Sequence, residues 1–172
     1  MGMSVTITAA VAADAEQILK LQYLCYQSEA ALYDDYGIEP LTQTLEELRA
    51  ELVRGPGLVA RLGSEVVGSV RGSVDASGTA RIAKLIVHPR MQGHGLGARL
   101  LAGIEQRLSE DDAAERYQLF TGHRSESNLQ LYRKLGYAPV GTERVSTRLS
   151  IVTLEKNRDG SPARTSSATA AL

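Results

Sequence analysis

An apolar run that enters a glycine-rich turn is the feature that most constrains the fold of this chain. Residues 85–101 are LIVHPRMQGHGLGARLL, with glycines at alternate positions and leucines at helical spacing after them. The pattern predicts a β-strand, a tight turn and then an α-helix. Glycine lets main-chain N–H groups approach a ligand closely, and a helix N-terminus adds unpaired N–H groups and a positive dipole end. The segment therefore predicts a pyrophosphate site.

Two other phosphate motifs fit this segment less well. A Walker loop needs Lys and then Ser or Thr after its last glycine, whereas Ala98 and Arg99 stand there. The spacing from Gly93 to Ala98 matches a dinucleotide fingerprint, but residues 88–92 separate it from its strand, and no acidic residue ends the next predicted strand. A nicotinamide enzyme is therefore disfavoured. On geometry alone, a strand-to-helix turn without a ligand stays an alternative.

The remaining pattern predicts an α/β chain of mixed α+β type. Strands are expected at residues 5–9, 58–62, 66–74, 80–87, 117–121, 137–140 and 148–154. Helices are expected from Asp14 to Tyr33, from Thr44 to the Gly55 region, after Gly95 and after Ser125, with capping boxes at the first two starts. This order implies a central mixed, mostly antiparallel sheet flanked by helices on both faces.

Composition limits the class of protein. The chain has 172 residues, 43% hydrophobic and 23% charged, which suits one domain over residues 1–155. A net charge of -1 gives no bulk attraction for nucleic acid or for an anionic membrane, and no apolar run is long enough to span a bilayer. The single Cys25 excludes an intrachain disulfide, and a cytoplasmic location is expected. Residues 156–172 are poor in large apolar side chains and predict a flexible tail.

Two motifs in this order resemble a known family. The pattern QxxGxGA at residues 92–98, preceded by LxVxP at residues 85–89, resembles the acetyl-CoA motif of the GNAT (GCN5-related) N-acetyltransferase superfamily. Residues 128–137, NLQLYRKLGY, resemble its second signature at the expected distance. The resemblance extends from residue 4 to about residue 155. It implies the GNAT acyl-CoA N-acyltransferase fold and an enzyme that moves the acetyl group of acetyl-CoA to a primary amine, by direct attack in a ternary complex. A non-catalytic acetyl-CoA sensor is the alternative.

The resemblance also assigns site residues. Main-chain groups of the strand would pair with the pantetheine arm of the cofactor, one of its N–H groups would stabilise the oxyanion, and amides of the turn would hold the pyrophosphate. The implied cofactor-binding residues are Leu85, Ile86, Val87, Gln92, Gly93, His94, Gly95, Leu96, Gly97, Ala98 and Asn128. Many relatives carry Asn at the Ser125 position and a small residue at the Asn128 position, so which of these two contacts the cofactor stays open. No metal is expected, and a homodimer fits the family.

The second signature assigns the proton donor. Tyr132 would protonate the departing thiolate, although a tyrosine one turn from Leu129 and Leu135 also fits a core position. Cys25 lies on the apolar stripe of the first predicted helix and is expected in the core. His88 and His94 lack the further ligands that a zinc site needs.

The general base and the acceptor amine are less constrained. Candidates for the base are Glu29, Asp34, Asp35 and His123. Residues 29–52 carry seven acidic side chains against one basic side chain, which predicts a small cationic acceptor. Asp34, Asp35 and Glu39 are expected to act on it, because the fold places their loop at the acceptor mouth.

Overall fold

The computed structural model describes residues 4–161 of the chain. Within this range seven strands form one sheet in the order β1-β2-β3-β4-β5-β7-β6. The strands are β1 (Val5–Ala9), β2 (Gly57–Leu62), β3 (Glu65–Val74), β4 (Thr79–Val87), β5 (Arg116–Gly122), β6 (Ala138–Arg144) and β7 (Ser150–Asn157). The helices are α1 (Ala15–Cys25), α2 (Gln27–Tyr33), α3 (Glu39–Thr42), α4 (Leu45–Arg54), α5 (Leu96–Asp112) and α6 (Glu126–Lys134). The predicted fold class is confirmed.

The pairing of β4 with β5 determines where the molecule opens. The two strands are parallel and pair over only three residues of each, from Thr79–Arg116 to Arg81–Gln118, whereas the other strand pairs in residues 4–161 are antiparallel. Beyond this point β4 shifts register against β3, and Lys84 adopts a φ of 55°, which is uncommon for a residue other than glycine. The carboxyl-terminal halves of β4 and β5 therefore separate.

Helices cover both faces of the sheet. On one face α5 buries Leu100, Leu101, Ile104 and Leu108 against the central strands. On the other face Ile18 of α1 and Leu48 of α4 are buried in a second cluster with residues of β2, β3 and β4. The leucine spacing in the sequence predicts these buried stripes because residues three and four apart share one face of a helix.

The first helical region differs from its prediction. The expected helix from Asp14 to Tyr33 breaks at Tyr26 into α1 and α2, and the loop after it contains the short helix α3. Asp14 does not form the expected capping box with Gln17, since its carboxylate binds Arg61 Nη2 at 2.6 Å and the side chain of Gln17 accepts from the N–H of Val66. Asp14 and Gln17 therefore form hydrogen bonds with β2 and β3, which are distant in sequence, and not with each other's backbone. The predicted capping box of Thr44 and Glu47 is confirmed.

The last strand continues past the predicted domain boundary at residue 155. Lys156 lies in β7, and its ammonium group binds the carboxylate of Glu105 at 2.8 Å and the carbonyl of Leu135 at 3.1 Å. These partners on other elements explain why the strand reaches Asn157. The part of the predicted tail from residue 162 onward lies outside the described residues. Within residues 4–161 no helix is long and apolar enough to cross a membrane.

Candidate active site

A cavity of about 1220 Å³ lies between the separated ends of β4 and β5. Residues 82–87 and 119–122 form its two strand walls, and the remaining walls come from α1, α2, the glycine turn and α6. Small-molecule sites commonly enclose roughly 300–1,000 Å³. This cavity therefore has room for a large ligand together with a second, smaller one.

The glycine turn and the start of α5 form one end of the cavity. Gly93 and Gly95 have φ values of 84° and 76°, a region that favours glycine, and Gly95 is the N-cap of the 17-residue helix α5. A Cβ atom added at either position would meet nothing within 4 Å, so the space above the turn is open. The first residues of α5 line this space, and the first N–H groups of a helix have no intrahelical partners. Of the predicted turn residues within the described part of the chain, all but His94 line the cavity.

The edge of β4 presents main-chain groups to the cavity. The N–H of His88 donates to the carbonyl of Val67 in β3, and main-chain direction alternates along a strand. The N–H and C=O of Ile86 therefore face β3, and those of Leu85 and Val87 face the gap. This corrects the prediction that all three residues offer main-chain groups to a ligand. The Val87 carbonyl accepts from Gln92 Nε2 at 3.2 Å and from Cys25 Sγ at 3.4 Å.

Tyr132 of α6 combines core packing with access to the cavity. Its side chain is 5% exposed, its ring lies 6.2 Å from that of Tyr137, and it lines the cavity wall. No group in residues 4–161 forms a hydrogen bond with its hydroxyl. Burial, together with the charge of Glu29, raises the pKa of Tyr132 to about 12. The phenol therefore keeps its proton at neutral pH, with the hydroxyl free to donate.

Glu29 of α2 also lines the cavity and binds the start of α6, the helix that carries Tyr132. Its Oε1 accepts from Ser125 Oγ at 2.6 Å and from Asn128 Nδ2 at 3.3 Å. Both residues that the sequence left open as cofactor contacts thus bind this carboxylate. Ser125 occupies the N-cap position of α6, but its hydroxyl does not cap the helix. The acidic candidate was visible in the sequence, whereas its partners, 96 and 99 residues away, were not.

The other candidates for the base are placed differently. Asp34 binds Arg148 Nη1 at 3.2 Å, with both side chains exposed. Asp35 lines the cavity, and its carboxylate accepts from the N–H of Gly37 at 2.9 Å. His123 Nδ1 accepts from the N–H of Ser150 at 3.0 Å, which leaves this nitrogen occupied.

A group of charges, here called the Arg71–Lys84 cluster, joins β3 and β4 to α3 and α4 and was not predicted. It comprises Arg71, Lys84, Glu51, Glu39 and Gln43. The side chains of Arg71 and Lys84 are largely buried, whereas that of Glu39 is exposed. Arg71 Nε lies 2.6 Å from Glu51 Oε2, and Lys84 Nζ lies 2.9 Å from Glu39 Oε1 and 3.2 Å from Glu51 Oε1. Burial opposes ionisation of Glu51, but the charges of Arg71 and Lys84 outweigh it and lower the pKa of that carboxyl.

These pairs change the electrostatic expectation for the cavity mouth. Glu39, Glu51 and Asp34 are all neutralised by basic side chains from other parts of the chain. Asp34 and Glu39, which are expected from the sequence to act on a cationic acceptor, are thus paired within the protein, and their action on an acceptor stays a prediction. A run of acidic residues in the sequence does not show which Lys and Arg side chains the fold will place beside them.

Cys25 is half-buried: it packs against the second apolar cluster, as predicted, and it also lines the cavity wall. Burial raises the pKa of its thiol to about 11, although the Val87 contact lowers it. The thiolate is the nucleophilic form of cysteine, so the environment keeps this group unreactive at neutral pH. Within residues 4–161 no group of three or more His, Cys, Asp or Glu side chains is arranged to hold a metal ion.

Comparison with known proteins identifies the family. Residues 15–137 match the model of the Acetyltransferase (GNAT) family, and the chain belongs to this family of acetyltransferases. The predicted family is confirmed. A search of curated proteins finds no match.

Solved structures share the fold at low sequence identity. The PaiA N-acetyltransferase of Thermoplasma acidophilum, solved in complex with coenzyme A, has a TM-score of 0.75 and 19% identity over 90% of this chain and 99% of that chain. The ribosomal-protein-S18-alanine N-acetyltransferase of Escherichia coli has a TM-score of 0.75 and 15% identity over 94% and 97%. YncA of Salmonella typhimurium, a putative acetyltransferase solved with acetyl-CoA, has a TM-score of 0.71 and 18% identity over 94% and 98%.

Proposed function

We propose that this protein transfers the acetyl group of acetyl-CoA to a primary amine by direct attack in a ternary complex. The observation that carries the proposal is one cavity that joins the open glycine turn, the free edge of β4 and the unpaired hydroxyl of Tyr132. Its volume suits a cofactor arm and an acceptor at the same time. Two proteins with this fold hold coenzyme A or acetyl-CoA.

The cofactor would lie along the turn and the strand edge. The N–H groups of residues 93–98 suit the pyrophosphate, because they are unpaired and lie at the positive end of the α5 dipole. The pantetheine arm would pair with Leu85 and Val87 as an added strand, displacing the side chains that now bind the Val87 carbonyl. An N–H on this edge would donate to the thioester oxygen as negative charge develops there.

Tyr132 would act as the general acid. Its hydroxyl reaches the cavity and keeps its proton because its pKa is about 12. A hydrogen bond from this phenol to the sulfur stabilises the departing thiolate while the C–S bond breaks. Attack by the amine needs no enzyme nucleophile, and the raised pKa of Cys25 agrees with this role assignment.

The acceptor would be a small amine that is cationic in solution. The carboxylates of Glu29 and Asp35 line the cavity and favour a positive charge there. Leu32 and Phe120 also line it and are 39% and 47% exposed. Large apolar side chains left open in a groove usually contact a ligand, so the acceptor would carry an apolar body beside its charged nitrogen.

Calorimetry with acetyl-CoA, followed by thiol release over an amine panel, tests the function. The panel contains 2-phenylethylamine, spermidine and a peptide with an N-terminal alanine. We expect binding of acetyl-CoA and turnover with at least one amine. In Gly95→Asp, a carboxylate beside the pyrophosphate should weaken acetyl-CoA at least ~10-fold, about 1.4 kcal/mol. Binding without turnover on a broad panel would support the sensor alternative, and unaltered affinity in a folded Gly95→Asp protein would contradict the proposed cofactor position.

A further inference from the structure

We propose that Glu29 is the residue that receives the ammonium group of the acceptor and removes its proton before attack. This inference rests on the proposed acetyl transfer to an amine. It assigns the general base, which the sequence left among four candidates, and it assigns Ser125 and Asn128 as the residues that position this base.

The hydrogen bonds of Glu29 leave one carboxylate oxygen free. Ser125 Oγ and Asn128 Nδ2 both donate to Oε1, at 2.6 Å and 3.3 Å. No group in residues 4–161 donates to Oε2. The side chain is therefore fixed in direction by α6, while its second oxygen can accept a hydrogen bond from a ligand in the cavity.

The charge of Glu29 is also left without a compensating cation. Ser125 and Asn128 are neutral donors, and no Lys or Arg nitrogen in the described part of the chain lies within 4.0 Å of the carboxylate. Glu39, which lines the same cavity, is paired with Lys84. A half-buried carboxylate held only by neutral groups favours a positive ligand, because such a ligand supplies the missing charge.

The position of Glu29 relative to Tyr132 suits acid and base chemistry on one substrate. Glu29 binds Asn128, which lies one turn before Tyr132 on α6, so the two groups share the same end of the cavity. Burial and, to a smaller extent, the charge of Glu29 raise the pKa of the Tyr132 phenol. The free edge of β4 forms another wall of this space. A thioester on that edge and an amine at Glu29 would meet beside the Tyr132 hydroxyl.

In the proposed step the ammonium gives one proton to Glu29 Oε2, and the freed nitrogen lone pair forms the C–N bond to the acetyl carbon. The C–S bond breaks with its electron pair on sulfur, which takes the proton of Tyr132. The nitrogen loses its second proton, which returns through water to Tyr132, and Glu29 passes its own proton to solvent. The net change is an ammonium and a thioester converted to an amide, a thiol and one released proton.

Few other groups around Glu29 titrate near neutral pH. Burial raises the pKa of Tyr26, Tyr33 and Tyr132 above the ordinary phenol value, so these three facing phenols stay neutral. Arg124 in the β5–α6 turn donates its main-chain N–H to Tyr33 Oη at 3.0 Å and its Nη1 to the carbonyl of Leu32 at 3.2 Å. A pH effect that depends on residue 29 is therefore attributable to the carboxylate and the amine.

The variant Glu29→Gln tests the inference, because it keeps the side-chain length and an acceptor for Ser125 but removes the charge and the base. With 2-phenylethylamine, kcat/KM should fall ~10²-fold or more at pH 7. The variant can use only the free amine, whose fraction rises ~10-fold per pH unit up to a pKa of about 10. The ratio of wild-type to variant activity should therefore shrink steadily from pH 6 to pH 10. Glu29→Asp, which keeps the charge, should retain the pH profile of the wild type at a reduced rate.

The control is Glu16→Gln, which removes an exposed carboxylate of α1 that does not line the cavity and should keep the wild-type profile. A ratio that is constant with pH, or full activity of Glu29→Gln at pH 7, would overturn the inference. The inference would also be overturned if Glu29→Gln changed the acetyl-CoA affinity ~10-fold and left the amine KM unaltered, because Glu29 would then contact the cofactor and not the amine.

A binding measurement separates this inference from the proposed function. Titration of 2-phenylethylammonium into the coenzyme A complex should show at least ~10-fold weaker binding to Glu29→Gln than to the wild type. If the wild type binds this amine but acetylates nothing on the panel, the proposed function fails. The contact with Glu29 is then still tested by comparing amine binding to Glu29→Gln with amine binding to the wild type. Equal binding to both proteins, or no binding to either, would overturn the Glu29 assignment.

Discussion

The Arg71–Lys84 cluster and the Glu29 site lie close to the same strand, β4, but they satisfy their charges in opposite ways. In the cluster, Arg71 and Lys84 share the carboxylates of Glu51 and Glu39 within 3.2 Å. At the Glu29 site, one carboxylate is held by a hydroxyl and an amide, and the hydroxyl of Tyr132 has no partner in residues 4–161.

The pairing of charges distinguishes the Arg71–Lys84 cluster, which holds a wall of the cavity in place, from Glu29 and Tyr132, which are proposed to act on a substrate inside it. Lys84 stands at the irregular point of β4, and its ion pairs hold this backbone against α3 and α4, so that the strand edge beyond it is presented to the gap. Charges used in this way are paired inside the protein, since a buried unpaired charge is costly. Glu29 and Tyr132, the groups proposed to act on a substrate, line the cavity and each keep an oxygen without a partner in residues 4–161.

Among changes in the Arg71–Lys84 cluster, loss of the Glu51 charge should reduce the stability of the protein most. Glu51→Gln would leave Arg71, whose side chain is 5% exposed, without its nearest counter-charge. We expect the free energy of unfolding in urea to fall by about 2–3 kcal/mol, somewhat below the cost of breaking a fully buried pair. Because the pKa of Glu51 is lowered in the folded protein, its stabilisation is complete above the ordinary value of 4.5 and is lost as the pH falls through the lowered value.

Glu39→Gln is the matched control for this prediction. Its carboxylate is 62% exposed, and Lys84 keeps Glu51 as a partner, so the loss should stay below about 1 kcal/mol. Equal losses for the two variants would show that the buried pairing of Arg71 does not stabilise the fold.

Removal of the Tyr132 hydroxyl should affect turnover and not stability. Tyr132→Phe keeps the ring against Tyr137, so kcat should fall ~10²-fold, about 2.7 kcal/mol, with acetyl-CoA affinity unchanged. Because the pKa of this phenol is raised to about 12, the wild type should not lose its acid as the pH passes 10. A fully active Phe variant, or a loss of kcat near pH 10 that is specific to Tyr132, would place this residue in the core alone.

The smallest effect on activity is expected from removing the charges of Asp34 and Glu39, because both are already paired with basic side chains. In the double variant Asp34→Asn, Glu39→Gln, the KM of the best amine should change less than ~3-fold, since exposed ion pairs contribute little. Amine KM measured at two salt concentrations checks this. A ~10-fold rise in KM at low salt would restore the expectation drawn from the acidic run and would weaken the contrast with Glu29.

Much of the fold and the cofactor end of the cavity could be predicted from local sequence patterns. The alternating glycines, the apolar run before them and the leucines after them specify strand, turn and helix within 17 consecutive residues. The resemblance of residues 128–137 to the second signature of the family implied that Tyr132 acts at the site, and Tyr132 lines the cavity. These features are local, because backbone conformation and helix periodicity depend on neighbouring residues.

The acceptor end of the cavity could not be predicted at the same level. Local periodicity indicates one helix from Asp14 to Tyr33, whereas contacts with distant strands and the β5–α6 turn break it at Tyr26 and direct Glu29 toward Ser125. Of the seven acids in the acidic run, Glu51, Glu39 and Asp34 are paired with Arg71, Lys84 and Arg148 from other elements. These contacts join residues that are far apart in the sequence, so local sequence patterns do not predict them.

The sequence by itself determined the family motifs, the order of helices and strands, and the glycine turn that suits a pyrophosphate. The tertiary structure decided which carboxylate keeps a free oxygen in the cavity, which main-chain groups of β4 face the gap, and which charges cancel. The physical reason is the range of the interactions. Turn conformation and amphipathic periodicity are set over a few residues, whereas the pairing of a buried charge depends on side chains that meet only after the chain has folded.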